Sequence, residues 1–193
     1  MNLKTAEDCL NLSERMIFLK KFIEAPSQVG SLTPSSRFLA NKMLECIDWN
    51  TVRALAELGA GTGIFTKYIY RLKHPDCKVA VFEKDKVMRS EIAARYSKLS
   101  YFEDVLYLTQ NVKSIGIKSL DVVVSGLPFA LIEESVRENI IEQVIKILKP
   151  KGIFVAFQYS LQMKPLLLKK YSQVDISFVP FNFPPAFVYV CHK

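Results

Sequence analysis

Three glycines at alternate positions follow a short apolar run. The run Arg53–Leu58 leads into Gly59, Gly61 and Gly63, and a helical pattern begins directly afterwards. Glycines at this spacing let the backbone turn tightly and approach a ligand closely, and the start of a helix behind them favours polar or anionic groups. The spacing differs from the dinucleotide fingerprint G-x-G-x-x-G, because Ile64 stands where the third glycine is required. The loop therefore fits a nucleoside better than a pyrophosphate.

A carboxylate is placed to complete this site. Glu83 ends the next apolar run, twenty residues after Gly63. An acidic residue at the end of the second strand can accept hydrogen bonds from the two hydroxyls of a ribose. A glycine turn before a helix also occurs without any ligand, so the carboxylate is what favours cofactor binding.

The elements that must position these residues alternate between strands and helices. Apolar and β-branched runs predict seven strands, and helical periodicity predicts the helices between them. Their order predicts an α/β fold, with a mostly parallel sheet, helices on both faces and an antiparallel hairpin at one edge. The predicted strands are Arg53–Leu58, Lys78–Glu83, Ser100–Phe102, Leu120–Ser125, Gly152–Gln158, Asp175–Phe181 and Ala186–Cys191, and the predicted helices are Phe65–Leu72, Lys86–Lys98, Glu133–Leu148 and Leu161–Lys169.

Composition narrows the class of function. A chain of 193 residues suits one domain, with 1–50 as an N-terminal helical cap and 51–193 as the cofactor-binding core. The 26 Lys and Arg exceed the 19 Asp and Glu, and the net charge of +7 favours nucleic acid or an anionic membrane as partner. Four dispersed cysteines and two histidines supply neither a zinc motif nor a Ser-His-Asp triad. We expect a cytoplasmic enzyme without metal, soluble or peripheral at the membrane, and a monomer by default.

The motif Glu57-x-Gly59-x-Gly61-x-Gly63, with Glu83 after the second strand, resembles the class I S-adenosylmethionine-dependent methyltransferases. The resemblance implies a Rossmann-like, seven-stranded sheet and S-adenosylmethionine as cofactor. It implies that Glu83 holds the ribose hydroxyls and that Asp104 meets the adenine amine, although Asp104 could equally be a helix N-cap. The residues it assigns to the cofactor are Glu57, Gly59, Ala60, Gly61, Thr62, Gly63, Glu83, Lys84, Asp104, Val105 and Ser125, with Pro34, Ser35 and Ser36 at the methionine end.

Four further segments, 30–38, 121–129, 157–159 and 182–189, look like those of the bacterial phospholipid N-methyltransferases. That resemblance implies the amine of phosphatidylethanolamine as methyl acceptor. A related branch, the rRNA adenine N6-dimethyltransferases, ends its fourth strand in Asn-Leu-Pro-aromatic. Gly126 replaces that asparagine here, and no helical extension follows Lys193, so both departures count against RNA.

The acceptor amine must be neutral before it can accept a methyl group. Burial against Phe129, Tyr159 and Phe183 is expected to lower its pKa, and aromatic rings also suit a quaternary ammonium product. Ser125, Tyr159 and Asn182 are expected near the nitrogen, and Phe129 beside it. Tyr159 is the preferred proton acceptor or relay, with a chain of water as the alternative. Aromatic side chains are more often core residues, and that alternative stays open.

The N-terminal segment has an amphipathic pattern. Its apolar residues recur at helical spacing with basic residues around them, which is typical of a helix lying in a membrane interface. Such a helix can equally cap the sheet or the cofactor. The apolar residues are Leu12, Met16, Phe18, Leu19, Phe22 and Ile23, the basic ones are Arg15, Lys20 and Lys21, and a second helix is expected from Thr33-Pro34.

Four other functions remain open at this point. RNA adenine methylation is the main alternative and predicts salt-dependent RNA binding. A soluble amine is a second possible acceptor. A nucleotide-binding module without catalysis, or a dinucleotide oxidoreductase, predicts no methyl transfer at all.

Overall fold

A computed structural model describes residues 34–182 and 184–193, with 34–36 as backbone only. Seven strands form one sheet, and the described residues contain six α-helices. The strands are β1 (Ala54–Leu58), β2 (Lys78–Phe82), β3 (Ser100–Phe102), β4 (Leu120–Ser125), β5 (Leu148–Gln158), β6 (Gln173–Val179) and β7 (Ala186–His192). The helices are α1 (Pro34–Leu44), α2 (Ile64–Leu72), α3 (Lys86–Arg95), α4 (Leu108–Ser114), α5 (Glu134–Ile147) and α6 (Lys164–Lys170), with 3-10 turns at Val105–Tyr107 and Phe129–Leu131.

The strand order β3-β2-β1-β4-β5-β7-β6 confirms the predicted Rossmann-like fold. The first five strands are parallel, and β7 runs antiparallel to both of its neighbours. The chain moves outward from β1 to β3 and then returns to add β4 on the other side of β1. A crevice opens at the carboxyl ends of the strands where this order reverses, which is where ligands of open α/β sheets bind.

Helices cover both faces of the sheet because each strand of the centre is apolar on both sides. One face packs against α1, α2 and α3, and the other against α4, α5 and α6. Within β1, for example, Leu55 faces the first helix layer while Ala56 and Leu58 face the second. The burial of all five β1 residues fixes the strand that leads into the glycine loop.

At the end of the sheet opposite the crevice, one carboxylate joins three neighbouring strands. Asp121 at the start of β4 accepts the backbone N–H groups of Arg53 and Ala54, each at 2.9 Å, and the Lys149 ammonium at 2.6 Å. Burial raises the pKa of Asp121, but these hydrogen bonds outweigh it and hold the pKa below its ordinary value. The three central strands are thereby fastened at the end far from the crevice.

Several element boundaries differ from prediction. Strand β5 begins at Leu148 rather than Gly152, since Leu148 pairs with Leu120 before a bulge shifts the register. The third predicted helix consequently ends at Ile147. Helix α3 ends three residues early, α6 starts three residues late, and β6 is shifted by two residues toward the N-terminus. Helix α4 was not predicted.

The predicted segment 12–23, Thr33 and Phe183 lie outside the described residues. None of the helices within 34–182 and 184–193 combines the length and the apolar character needed to cross a bilayer.

Candidate active site

The glycine loop joins β1 to α2 through three residues with positive φ, +72° at Gly59, +54° at Gly61 and +83° at Gly63. The N–H groups of Gly59 and Ala60 both donate to Phe82 O, at 2.8 and 3.1 Å, and so tie the loop to the end of β2. A Cβ built at Gly61 meets nothing within 4 Å, so the backbone there borders open space. The loop offers a ligand room and close access to the backbone.

The loop after β4 packs directly against the glycine loop. A Cβ at Gly126 would lie 2.7 Å from the Gly59 carbonyl oxygen, and a Cβ at Gly59 would lie 2.9 Å from Leu127 Cδ2. The Gly126 N–H also donates to Leu58 O at 2.8 Å. Neither glycine position has space for a side chain, because the two backbones form the base of the crevice together.

Glu83 is the first residue after β2, and its side chain reaches the glycine loop. Its Oε2 accepts the Gly61 N–H at 2.6 Å, and its Oε1 accepts the Asp85 N–H at 2.9 Å. Arg89 donates to the Glu83 carbonyl oxygen at 2.6 Å and pairs with Glu103 at 3.0 Å. The partly exposed carboxylate thus stands at the edge of the open space. Sequence reasoning missed Arg89, since a surface arginine on a helix carries no specific signal.

Asp104 caps the 3-10 turn that follows β3. Its Oδ1 accepts the Leu106 N–H at 2.8 Å, so the N-cap alternative is confirmed. The cap uses one carboxylate oxygen, and the side chain remains partly exposed beside Val105. Capping is therefore compatible with the adenine contact, which stays a prediction.

Glu57 lies beneath the loop and has no exposed surface. Its Oε2 accepts the Thr66 hydroxyl at 2.7 Å, while Oε1 has no partner among the described residues. Burial raises the pKa of Glu57 to about 7, and the hydrogen bond from Thr66 only partly opposes this. The expected direct contact between Glu57 and the cofactor is not met in this arrangement, because the carboxylate is enclosed between β1 and α2.

Two residues expected near the acceptor have supporting positions instead. Phe129 has no exposed surface and packs edge-on against Phe154 in the core beneath α5, with ring centroids 6.5 Å apart. Its predicted place beside the nitrogen is wrong, since the 3-10 turn after β4 directs the ring into the core. Ser125 is equally enclosed, and its Oγ accepts the Leu127 N–H at 3.2 Å. Gln158, to which no role was assigned from sequence, donates to Leu127 O at 3.0 Å and holds the same loop.

Tyr159 and Asn182 lie close together, although they are 23 positions apart in the chain, and their place beside the acceptor nitrogen stays a prediction. Burial raises the pKa of Tyr159 to about 12, and a hydrogen bond with the Asn182 side chain lowers it in part. The Asn182 amide also donates to Pro184 O at 2.6 Å. Tyr159 is therefore a neutral phenol at physiological pH, which suits hydrogen bonding or relay and makes it a poor proton acceptor.

An aromatic wall adjoins this pair. Phe157 packs edge-on against Tyr159 with ring centroids 5.6 Å apart, and Phe65 of α2 lies 5.9 Å from Phe157. The wall connects the glycine-loop helix to the end of β5. The motif at 157–159 is recognisable in the sequence, whereas Phe65 shows only the pattern of a helical residue.

Two predicted cofactor residues are exposed at the rim. The backbone carbonyl of Lys84 accepts Arg89 at 3.1 Å, and that of Thr62 accepts Arg95 at 3.3 Å. The predicted contact of these two side chains with the cofactor stays a prediction. The side chains of Pro34, Ser35 and Ser36 lie outside the description.

These residues fit S-adenosylmethionine. Gly61 borders open space, and the Glu83 carboxylate at its amide is placed for a ribose diol. Asp104 stands at the end of the neighbouring strand β3, where the adenine would follow. Among residues 34–182 and 184–193, no group of three His, Cys, Asp or Glu side chains is arranged to hold a metal ion.

Comparisons with known proteins agree with this geometry. The family described as "Methyltransferase domain" matches residues 55–152. An ornithine lipid N-methyltransferase from Singulisphaera acidiphila is 33% identical over 185 residues, which cover 93% of this chain and 96% of that protein.

Solved structures share the fold at low sequence identity. The N-methyltransferase NodS from Bradyrhizobium japonicum, in complex with S-adenosylhomocysteine, has a TM-score of 0.69 at 14% identity and covers 93% of this chain and 97% of its own. The 1,6-didemethyltoxoflavin-N1-methyltransferase from Burkholderia thailandensis also has a TM-score of 0.69 at 14% identity, covering 93% of this chain and 86% of its own. The fold, the glycine loop with Glu83, the domain match and the near full-length relative agree, and the chain belongs to the class I S-adenosylmethionine-dependent methyltransferases.

Proposed function

We propose that this enzyme methylates a primary amine carried by a lipid headgroup. The observation that carries the proposal is the 33% identity to an ornithine lipid N-methyltransferase over nearly the whole of both chains. Ornithine lipid and phosphatidylethanolamine both present a primary alkylammonium at a membrane surface. The shared chemistry is therefore an amine on a lipid, with phosphatidylethanolamine as the acceptor that the sequence favours.

The acceptor side of the crevice suits an amine. Tyr159 and Asn182 offer neutral hydrogen-bonding groups, and Phe157 and Phe65 supply apolar surface beside them. A protonated amine loses hydration against such a wall without gaining a carboxylate partner, so its pKa falls and the neutral form is favoured. Ring faces can also stabilise the cationic methylated product.

The bound cofactor supplies an activated methyl group, so the chain's own task is alignment and desolvation. In this proposal the Tyr159 hydroxyl accepts a hydrogen bond from the amine and fixes the direction of its lone pair. Asn182 positions that hydroxyl. The proton released by the ammonium passes to water, directly or by relay through Tyr159, because a phenol with a pKa of about 12 is already protonated and has no free basic site to keep it.

RNA adenine methylation receives no support from the same region. In the related enzymes an asparagine stands where this chain has Gly126. A side chain at that position would bring Cβ within 2.7 Å of the Gly59 carbonyl oxygen. An asparagine facing a target base therefore does not fit this loop as it is packed.

The proposal is tested with three acceptors in separate reactions, using S-adenosylmethionine with a labelled methyl group. The acceptors are short-chain phosphatidylethanolamine, short-chain ornithine lipid and free ethanolamine, all below their aggregation limits. We expect label in at least one lipid and kcat/KM at least tenfold lower for ethanolamine, because ethanolamine cannot use contacts with the rest of the lipid. Equal rates with free ethanolamine would contradict a lipid acceptor, and the two lipid reactions identify the headgroup.

The substitution Tyr159→Phe distinguishes a role of Tyr159 toward the methyl acceptor from a role in cofactor binding. Loss of the hydroxyl should lower kcat for the lipid by about tenfold to a hundredfold while leaving cofactor affinity unchanged. Tyr68→Phe, a partly buried tyrosine of α2 packed outside this pair, is the matched control. An unchanged kcat in Tyr159→Phe would remove Tyr159 from the acceptor site.

A further inference from the structure

Two phenylalanines at one corner of the molecule are exposed to an unusual degree. The exposed fractions are 52% for Phe38 and 72% for Phe181. Their rings lie 5.8 Å apart. Apolar rings of this size are seldom left in water without a function, and grouped exposure marks an interaction surface.

This aromatic corner adjoins the acceptor side of the crevice. Strand β6 runs parallel to β5, because both are antiparallel to β7, so its end at Val179 lies at the same edge as the end of β5. Phe181 and Asn182 are adjacent in the turn between β6 and β7. Asn182 is 7% exposed and contacts Tyr159, whereas Phe181 is 72% exposed. One turn therefore presents a polar group to the site and an aromatic ring to the outside.

The sequence beside the two rings carries little charge, and that charge is positive. Residues 37–41 and 176–182, which include Phe38 and Phe181, contain no acidic residue, and their one charged residue is the exposed Arg37. Aromatic rings with flanking cations are typical of surfaces that enter the headgroup region of a bilayer, since rings tolerate its mixed polarity and cations meet lipid phosphates.

We propose that the aromatic corner, formed by Phe38 and Phe181, docks on the lipid bilayer and holds the crevice at headgroup level. The inference rests on the proposed lipid acceptor and adds how the enzyme reaches it. A lipid lying in the membrane then has its amine beside Tyr159 and Asn182 while its acyl chains remain in the bilayer. This surface belongs to the folded core that the structure describes.

The test is flotation with vesicles in the absence of S-adenosylmethionine, so that binding is measured without catalysis. Vesicles of phosphatidylcholine alone and of phosphatidylcholine with phosphatidylglycerol are compared. Phe181→Glu should weaken binding to both kinds by at least about tenfold, because one buried Phe contributes more than the free energy of a tenfold change. Arg37→Gln should weaken binding only where phosphatidylglycerol is present. The matched control is Leu72→Glu, which changes a 46% exposed residue at the end of α2, far from the crevice.

If Phe181→Glu keeps its cofactor affinity and still methylates monodisperse short-chain lipid, its fold and its active site are intact. Unchanged flotation of Phe181→Glu, or equal losses in Phe181→Glu and Leu72→Glu, would overturn the proposal. A wild-type dimer that becomes monomeric in Phe181→Glu by light scattering would also overturn it, since the corner would then bind a second copy of the chain. If wild-type protein floats but methylates no lipid, the proposed acceptor fails while the docking surface stands.

Discussion

At the scale of single residues, Glu83 lies between the glycine loop and the open space beside Gly61 in which the cofactor would bind. Its carboxylate accepts the Gly61 and Asp85 amides and is placed for a ribose. Glu83→Ala should lower S-adenosylmethionine affinity about a hundredfold, since hydrogen bonds to a charged group contribute about 1.5–3 kcal/mol each. Calorimetric titration measures this, and Glu91→Ala, an exposed change on α3, is the control. Equal affinity of Glu83→Ala and wild type would end the assignment of Glu83.

Glu57 predicts a pH dependence of stability. Burial raises its pKa from 4.5 to about 7, so between these values the folded chain holds a proton that the unfolded chain has lost. Stability therefore falls as pH rises through this window, by about 3 kcal/mol in total, and then levels off. Glu57→Gln removes this titration, while all other groups titrate alike in both proteins.

The difference in melting temperature, Glu57→Gln minus wild type, should accordingly rise by roughly 5–10 °C between pH 4.5 and pH 8. Thermal unfolding without ligand at several pH values measures it. A difference that stays constant with pH would show that Glu57 is not buried in the protonated form.

At the scale of elements, the close contact between the glycine loop and the loop after β4 determines which residue type can follow β4. Gly126→Asn would bring Cβ within 2.7 Å of the Gly59 carbonyl oxygen. The glycine loop must then shift, which should cost about 1–3 kcal/mol of stability and reduce cofactor affinity at least tenfold. We expect no gain of RNA adenine methylation.

Gly116→Asn is the control for that substitution. Gly116 has φ +76° in an exposed turn, where asparagine is tolerated and the nearest atom is the flexible Lys78 Nζ at 3.4 Å. Melting temperature and cofactor affinity of both variants are compared. Unchanged values in Gly126→Asn would mean that the loop after β4 is not held against the glycine loop.

The elements themselves were largely predictable, because buried parallel strands read as apolar runs and glycine or proline ends them. Helix α4 was missed because its seven residues are mostly polar and too few to show a period. The start of β5 was misplaced because Lys149-Pro150-Lys151 has the composition of a turn, whereas in the structure Leu148 already pairs with β4 ahead of a bulge.

At the scale of the whole molecule, the sequence predicted which strand ends meet but not which side chains are enclosed there. Tyr159 and Asn182 lie close together because both follow strands that end at one edge, while their role at the acceptor stays a prediction. Phe129 was misplaced because the direction of a side chain in a 3-10 turn depends on packing that residue types do not reveal. The exposure of Phe181 was hidden for the same reason, as aromatic residues in a sequence are read first as core.

The central claim is transfer of a methyl group from S-adenosylmethionine to a lipid amine. The most direct measurement uses one reaction that contains labelled cofactor, vesicles with phosphatidylethanolamine and ornithine lipid, and total RNA, followed by separation of the lipid and aqueous phases. We predict label in the lipid phase and none in RNA above the level found with Glu83→Ala. Label in RNA with an unlabelled lipid phase would contradict the account.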